Sequence, residues 1–142
     1  MQMQDNPLIF VVDGNSLYNR LIASHLRLNK FQRIECFLSG EECLENIDKK
    51  PDIVIQDYLM NGINGIEVLK ASKKRNPKTE FIFMSGECSF DIAVNTIKSG
   101  AYDYVVKDQF AFKKLISSIN EITKIQQIKP RKNFFKMVFP FL

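Results

Sequence analysis

The sequence predicts a three-layer α/β domain built on a parallel five-stranded sheet, and three observations carry that prediction. Short apolar segments recur five times, at residues 8–13, 32–37, 52–57, 80–85 and 102–107. Several of them are apolar almost without alternation, the pattern of strands covered on both faces. Segments with helical spacing lie between them and after the last, and strict alternation of this kind gives right-handed crossovers within one sheet.

Each element has its own signal. The first strand, LIFVVD (8–13), ends in Asp13 and runs through Gly14 into a helix over 16–28, where Leu17, Leu21, Ile22 and Leu28 have helical spacing. The second strand is QRIECF (32–37), and the helix after it opens in SGEE, with Ser39 and Glu42 at capping-box spacing. DIVIQD (52–57) is the third strand. Its helix, IEVLKASKK, stops before Asn76-Pro77, since the residue ahead of a proline is pushed out of the helical region. EFIFMS (80–85) precedes FDIAVNTIKSG, which follows Ser89 as N-cap and ends at Gly100 as C-terminal cap. YDYVVK (102–107) is the fifth strand, and the last helix carries Phe112, Leu115, Ile116, Ile119 and Ile122 on one face. The expected organisation is a folded unit over 1–128 and a short basic, aromatic tail over 129–142.

Composition narrows the function classes. A chain of 142 residues with 45% hydrophobic and 25% charged content suits one soluble globular domain with a proper core. Its net charge of +4 is supplied by Lys129, Arg131, Lys132 and Lys136 in a tail without acids, so the body is neutral and direct DNA binding is not expected. Three cysteines without paired or metal-type spacing suit reduced thiols in a cytoplasm. The start lacks the pattern of a secretory signal. The apolar stretch 134–142 is interrupted by Lys136 and Pro140 and falls far short of the ~20 residues that span a bilayer. The expected location is cytoplasmic, and membrane contact through the tail is not expected.

In an open parallel sheet, ligands bind beyond the carboxyl ends of the strands, where the strand order reverses. Asp13, Asp57, Ser85 and Lys107 close strands one, three, four and five, so all four fall on one rim. If the order is 2-1-3-4-5, the two aspartates are neighbours. Paired carboxylates favour a hard cation such as Mg2+, and a lysine and a hydroxyl beside them suit phosphoryl oxygens. The chemistry implied is attack by a carboxylate on phosphorus. Taken singly, each residue is more simply a cap, a turn residue or a solvated strand end; the shared rim makes the argument.

Three blocks, "PDIVIQDYLMNGINGIEVLK" (51–70), "FIFMSGE" (81–87) and "GAYDYVVK" (100–107), resemble the signatures of the receiver domains of bacterial two-component response regulators, in the stand-alone single-domain form. The resemblance covers roughly residues 8–127. It implies a flavodoxin-like (βα)5 fold with sheet order 2-1-3-4-5, and Asp57 as phosphoacceptor. Ser85 and Lys107 would contact the phosphoryl group, and Tyr104 would be the aromatic switch residue. Asp13, Asp57 and the Leu59 backbone carbonyl would hold Mg2+. A sensor histidine kinase or a histidine phosphotransfer protein would be the donor, and a downstream protein would read the surface of the fourth helix, fifth strand and fifth helix. Such a protein is a signalling module, catalysing only its own phosphorylation and dephosphorylation.

Three positions depart from the family pattern. Gly14 stands where a second acid usually follows the first, which predicts weak metal binding, with Asn15 as a candidate substitute. Asn61 replaces a proline after the phosphoacceptor. Asp108 replaces a proline after Lys107, which predicts a trans peptide there, because a cis bond without proline costs ~2.5–4 kcal/mol. Leu59 and Glu87, two positions beyond Asp57 and Ser85, line the expected water approach, and an apolar Leu59 predicts slow self-dephosphorylation. A phosphorylation-independent interaction domain on the same fold is the alternative. An aspartate-dependent phosphatase of the haloacid dehalogenase type ranks last, because Asn15 stands where its second aspartate belongs.

Overall fold

A computed structural model of the chain describes residues 6–128. The tail expected over 129–142 lies outside them. The order along the chain is β1 (Ile9–Val12), α1 (Ser16–Leu28), β2 (Ile34–Phe37), α2 (Gly40–Glu45), a 3-10 turn at Ile47–Lys49, β3 (Ile53–Asp57), α3 (Gly65–Arg75), β4 (Glu80–Ser85), α4 (Phe90–Lys98), β5 (Asp103–Val106) and α5 (Ala111–Ile128). All strand pairs are parallel and the sheet order is β2-β1-β3-β4-β5. This is the flavodoxin-like arrangement that the sequence predicts.

The absence of alternation in the strands has a direct cause. Ile9 and Val11 face a core shared with Ile22 and Leu26 of α1 and with Leu115, Ile119 and Ile122 of α5. Phe10 and Val12 face a second core with Cys43 of α2 and with Val68 and Leu69 of α3. Both faces of the strand are therefore dry, so both residue parities must be apolar. Among the described residues, no helix is long and apolar enough to cross a membrane.

Helix ends follow the sequence signals. Ser39, Asn64 and Ser89 accept from the backbone N–H three residues on and so cap α2, α3 and α4. Gly100, just past α4, has a φ of 114°, which a residue with a Cβ adopts only under strain. One expectation is corrected. The buried face of α1 is Asn19, Ile22, Ala23 and Leu26, while Leu17, Leu21 and Leu28 are exposed. The helix is rotated because Asn19 faces the sheet end, where its amide donates to the carbonyls of Asp13 (3.1 Å) and Phe37 (2.8 Å). The Phe37 carbonyl also accepts the Asp13 N–H at 3.1 Å, and a leucine at 19 would supply no donor to either carbonyl.

Candidate functional site

Asp57 is the last residue of β3 and Asp13 follows the last residue of β1. Val12 lies opposite Gln56 in the register, so the two aspartates continue neighbouring strands and meet at the rim. Lys107 follows β5 and donates its backbone N–H to the Ser85 carbonyl at 2.7 Å. Its long side chain turns back along the rim. The ammonium lies 3.0 Å from Asp13 Oδ2 and 3.2 Å from Asp57 Oδ1. The side chains of Lys107, Asp13 and Asp57 are only 18%, 1% and 12% exposed, so their charges are poorly screened by water.

Burial and environment set the protonation of this group. Burial, then the charge of Asp13, pushes the Asp57 carboxyl up, against the pull of Lys107 and of the Leu59 amide, which hydrogen-bonds to it. Burial acts to lower Lys107, but the hydrogen bond and charge of Asp13, together with Asp57, outweigh it and hold the ammonium above its ordinary value. The pocket is thus two carboxylates sharing one firmly charged cation. Asp13 Oδ1 also accepts the Asn15 N–H at 2.8 Å, which fixes the carboxylate plane.

Ser85 sits on the same rim and Tyr104 lies in β5 two register positions short of it; both are engaged elsewhere. Ser85 is fully buried, and its hydroxyl accepts from the Glu87 N–H at 3.1 Å. The Tyr104 hydroxyl donates to the Glu87 carbonyl at 2.7 Å, and its ring meets Tyr58 edge-on at 6.4 Å. Both side chains therefore hold the backbone of one residue in the loop between β4 and α4. Leu59 is 57% exposed beside the pocket. The Asn15 side-chain oxygen caps α1 by accepting from the Tyr18 N–H at 3.1 Å. All peptide bonds among the described residues are trans, that of Asp108 included. Asp108 turns the chain into α5 by accepting the Phe110 N–H on its carboxylate at 2.8 Å.

Sequence reasoning missed three residues around the pocket. Tyr18 places its ring under Lys107, with the ammonium 4.3 Å from the centroid. Asn19 ties the ends of β1 and β2, as described above. Gln56 is fully buried and donates to the Asp57 carbonyl (3.0 Å) and to Met60 Sδ (3.1 Å), steadying the loop after Asp57. A polar residue inside an apolar strand or on an apolar helix face was the available signal for Asn19 and Gln56. That loop is also held from outside, because Glu41 accepts the Ile63 N–H at 2.9 Å.

The donors present suit a hard cation only in part. Two carboxylates are the usual protein share of a Mg2+ site, whose other positions go to water and phosphate, but here both already bind Lys107. Among the described residues no three acids, histidines or cysteines are gathered closely enough to hold a metal. The missing acid is not excluded by space: a Cβ on Gly14 would meet only the Leu38 carbonyl, at 3.6 Å.

Comparison with known proteins finds the response regulator receiver domain as the family model matching residues 9–120. The chain is 32% identical over 106 residues to the DNA-binding transcriptional regulator NtrC of Escherichia coli K12, covering 70% of this chain and 21% of that one. It is 28% identical to the regulatory protein AtoC of the same organism, covering 85% and 26%. Among solved structures, the receiver domain of the Francisella response regulator 1452 superposes with a TM-score of 0.77 at 28% identity, covering 85% of this chain and 99% of that one. The chain spans about a quarter of the length of the curated relatives it matches.

Proposed function

Because the chain belongs to the response regulator receiver family, signalling domains that interact with histidine kinases or phosphotransfer proteins, we propose that Asp57 accepts a phosphoryl group from such a donor. The observation that carries this reading is the Lys107 ammonium set between Asp13 and Asp57 at 3.0 and 3.2 Å. A carboxylate oxygen of Asp57 forms the new bond to phosphorus as the bond from phosphorus to the donor breaks, and the donor atom keeps the electron pair. Lys107 remains charged to receive a phosphoryl oxygen, and the Ser85 hydroxyl, once it leaves Glu87, can donate to another. Positioned charge of this kind is most of what phosphoryl transfer asks of a protein.

Mg2+ bound by Asp13, Asp57 and the Leu59 carbonyl would screen the carboxylates from the incoming phosphoryl oxygens. Gly14 makes that binding weak. The output we assign is a change of the α4–β5–α5 surface, made when Ser85 and Tyr104 change their hold on Glu87 and read by a partner protein, with no DNA contact. The receiver unit is taken as residues 1–128, working in the cytoplasm. Incubation with Mg2+ and acetyl phosphate is expected to add one phosphate, absent in Asp57→Ala. No incorporation from acetyl phosphate or from a cognate kinase would sink the reading. The exposed, apolar Leu59 orients no water, so the phosphoprotein should outlive minutes; a half-life of seconds would contradict that.

A phosphorylation-independent interaction domain is favoured by one observation, the absence of an acid at Gly14. It predicts that Asp57→Ala leaves partner binding intact, whereas the phosphoacceptor reading predicts its loss.

A further inference from the structure

Lys107 carries a flexible four-carbon stem, yet its ammonium must be in place before phosphorus arrives if it is to stabilise the transferring group without reorganisation. Two of its contacts are the carboxylates. The third is the face of the Tyr18 ring, 4.3 Å from the nitrogen and within the range at which a cation is drawn to an aromatic quadrupole. When Asp57 becomes an acyl phosphate, Asp13 and the ring are the contacts that its modification does not alter.

The ring is itself held. Its backbone N–H is bound by the Asn15 cap, and the ring packs against the core between α1 and α5. Phe112 of α5 stacks on it at 5.8 Å, and His25, two helical turns along α1, stacks on Phe112 at 4.9 Å. One aromatic of α5 thus packs with two of α1, which helps to hold the Tyr18 plane beneath the ammonium. Burial pushes the phenol up, against the pull of Lys107 and with the charges of Asp13, Asp57 and Asp108, so the ring is neutral and its face remains attractive to a cation.

We propose that Tyr18 is a positioning residue for Lys107, acting through its ring face and not its hydroxyl to hold the ammonium between Asp13 and Asp57. The inference deepens the phosphoacceptor reading and rests on it. In a chain with Gly14 in the acid pocket, the ring supplies the hold on the cation that a further carboxylate does not.

Two variants and two measurements test it. Tyr18→Phe keeps the ring; Tyr18→Leu keeps bulk but removes the quadrupole. In the unphosphorylated protein, the Lys107 Cε protons are expected to show an upfield ring-current shift by NMR, kept in Tyr18→Phe and lost in Tyr18→Leu. With acetyl phosphate and Mg2+, Tyr18→Phe should be phosphorylated at close to the natural rate. Tyr18→Leu should be slower by about three- to tenfold, a factor matching the strength of a partly exposed cation–π contact. A natural rate in Tyr18→Leu, or an equal loss in Tyr18→Phe, overturns the proposal. If the natural chain takes up no phosphate, the phosphoacceptor reading fails. The ring-current shift needs no phosphate, so its absence from the natural chain would overturn the Tyr18–Lys107 contact separately.

Discussion

At the β1–β3 end of the rim, Asp13 and Asp57 are joined to Lys107 by two ion pairs between residues 94 and 50 positions apart. At the β4–β5 end, Ser85 and Tyr104 are joined to the N–H and the carbonyl of one residue, Glu87, by neutral hydrogen bonds. The first arrangement is buried and governed by charge, so it is sensitive to the protonation of its carboxylates. The second responds to the path of the loop between β4 and α4. Lys107 belongs to both, because its side chain binds the acids while its backbone N–H binds the Ser85 carbonyl. A charge event at Asp57 therefore has a route to the strand that carries Ser85, through one ion pair, the Lys107 residue and one backbone hydrogen bond.

The sharpest way to break this contrast is to remove the shared cation. Lys107→Met leaves two carboxylates facing each other in a poorly solvated pocket, and near neutral pH the fold should lose about 1–3 kcal/mol. Without the lysine the folded-state pKa of Asp57 rises further above its ordinary value of 3.8. The deficit is therefore present when both acids are ionised, and it shrinks as pH falls through that raised value and Asp57 takes up a proton. Urea unfolding near neutral pH and near about pH 5 checks this; a deficit equal at both would mean that packing of the stem, not charge, holds the pocket.

Restoring the missing acid sharpens the contrast from the other side. A Cβ at Gly14 makes only an ordinary contact with the Leu38 carbonyl, and in Gly14→Asp a third carboxylate should tighten Mg2+ binding by about tenfold or more, measured by calorimetry. Unchanged affinity would show that Lys107, not Gly14, limits metal binding. Asp57→Asn should act in the opposite direction on stability. Burial and Asp13 raise the Asp57 pKa, so its ionised form opposes folding above that value. Removing the charge should raise the melting temperature by about 2–4 °C near neutral pH, as ~1 kcal/mol does in a domain of this size, with the gain fading toward acid.

The fold was legible because each strand and cap has a local cause. Unalternating strands such as IFVV report burial on both faces, and Ser39 and Ser89 cap the helices that their positions predict. The three charged rim residues could be brought together from strand order alone, since a parallel sheet puts all strand ends on one side. Contacts that depend on helix rotation and side-chain direction were out of reach. The leucine spacing of α1 points its core face toward Leu17 and Leu21. The rim carbonyls of Asp13 and Phe37 turn it toward Asn19 instead, and that rotation goes with the placement of Tyr18 beneath Lys107. No spacing rule on one helix contains the needs of a neighbouring strand end. Asn15 was read only as a substitute for the missing pocket acid, and the geometry shows its oxygen bound to the Tyr18 N–H as the cap of α1.

The smallest expected effect lies at the neutral end of the rim. Tyr104→Phe removes one hydroxyl and its bond to the Glu87 carbonyl, in a partly exposed position where water can take over. The cost should be about 0.5 kcal/mol, at the low end for a single hydrogen bond. No ionised group takes part in that bond, so the loss should be the same near neutral and acid pH, unlike that of Lys107→Met. Hydrogen exchange at the amides of the 86–89 loop is the more telling measurement. If Tyr104 and Ser85 together fix Glu87, those amides should exchange faster in Tyr104→Phe while the Asp13 and Asp57 environment is unchanged by NMR. A shift of the acid pocket instead would mean that the two ends of the rim are one unit, joined more tightly than the Lys107–Ser85 backbone bond requires.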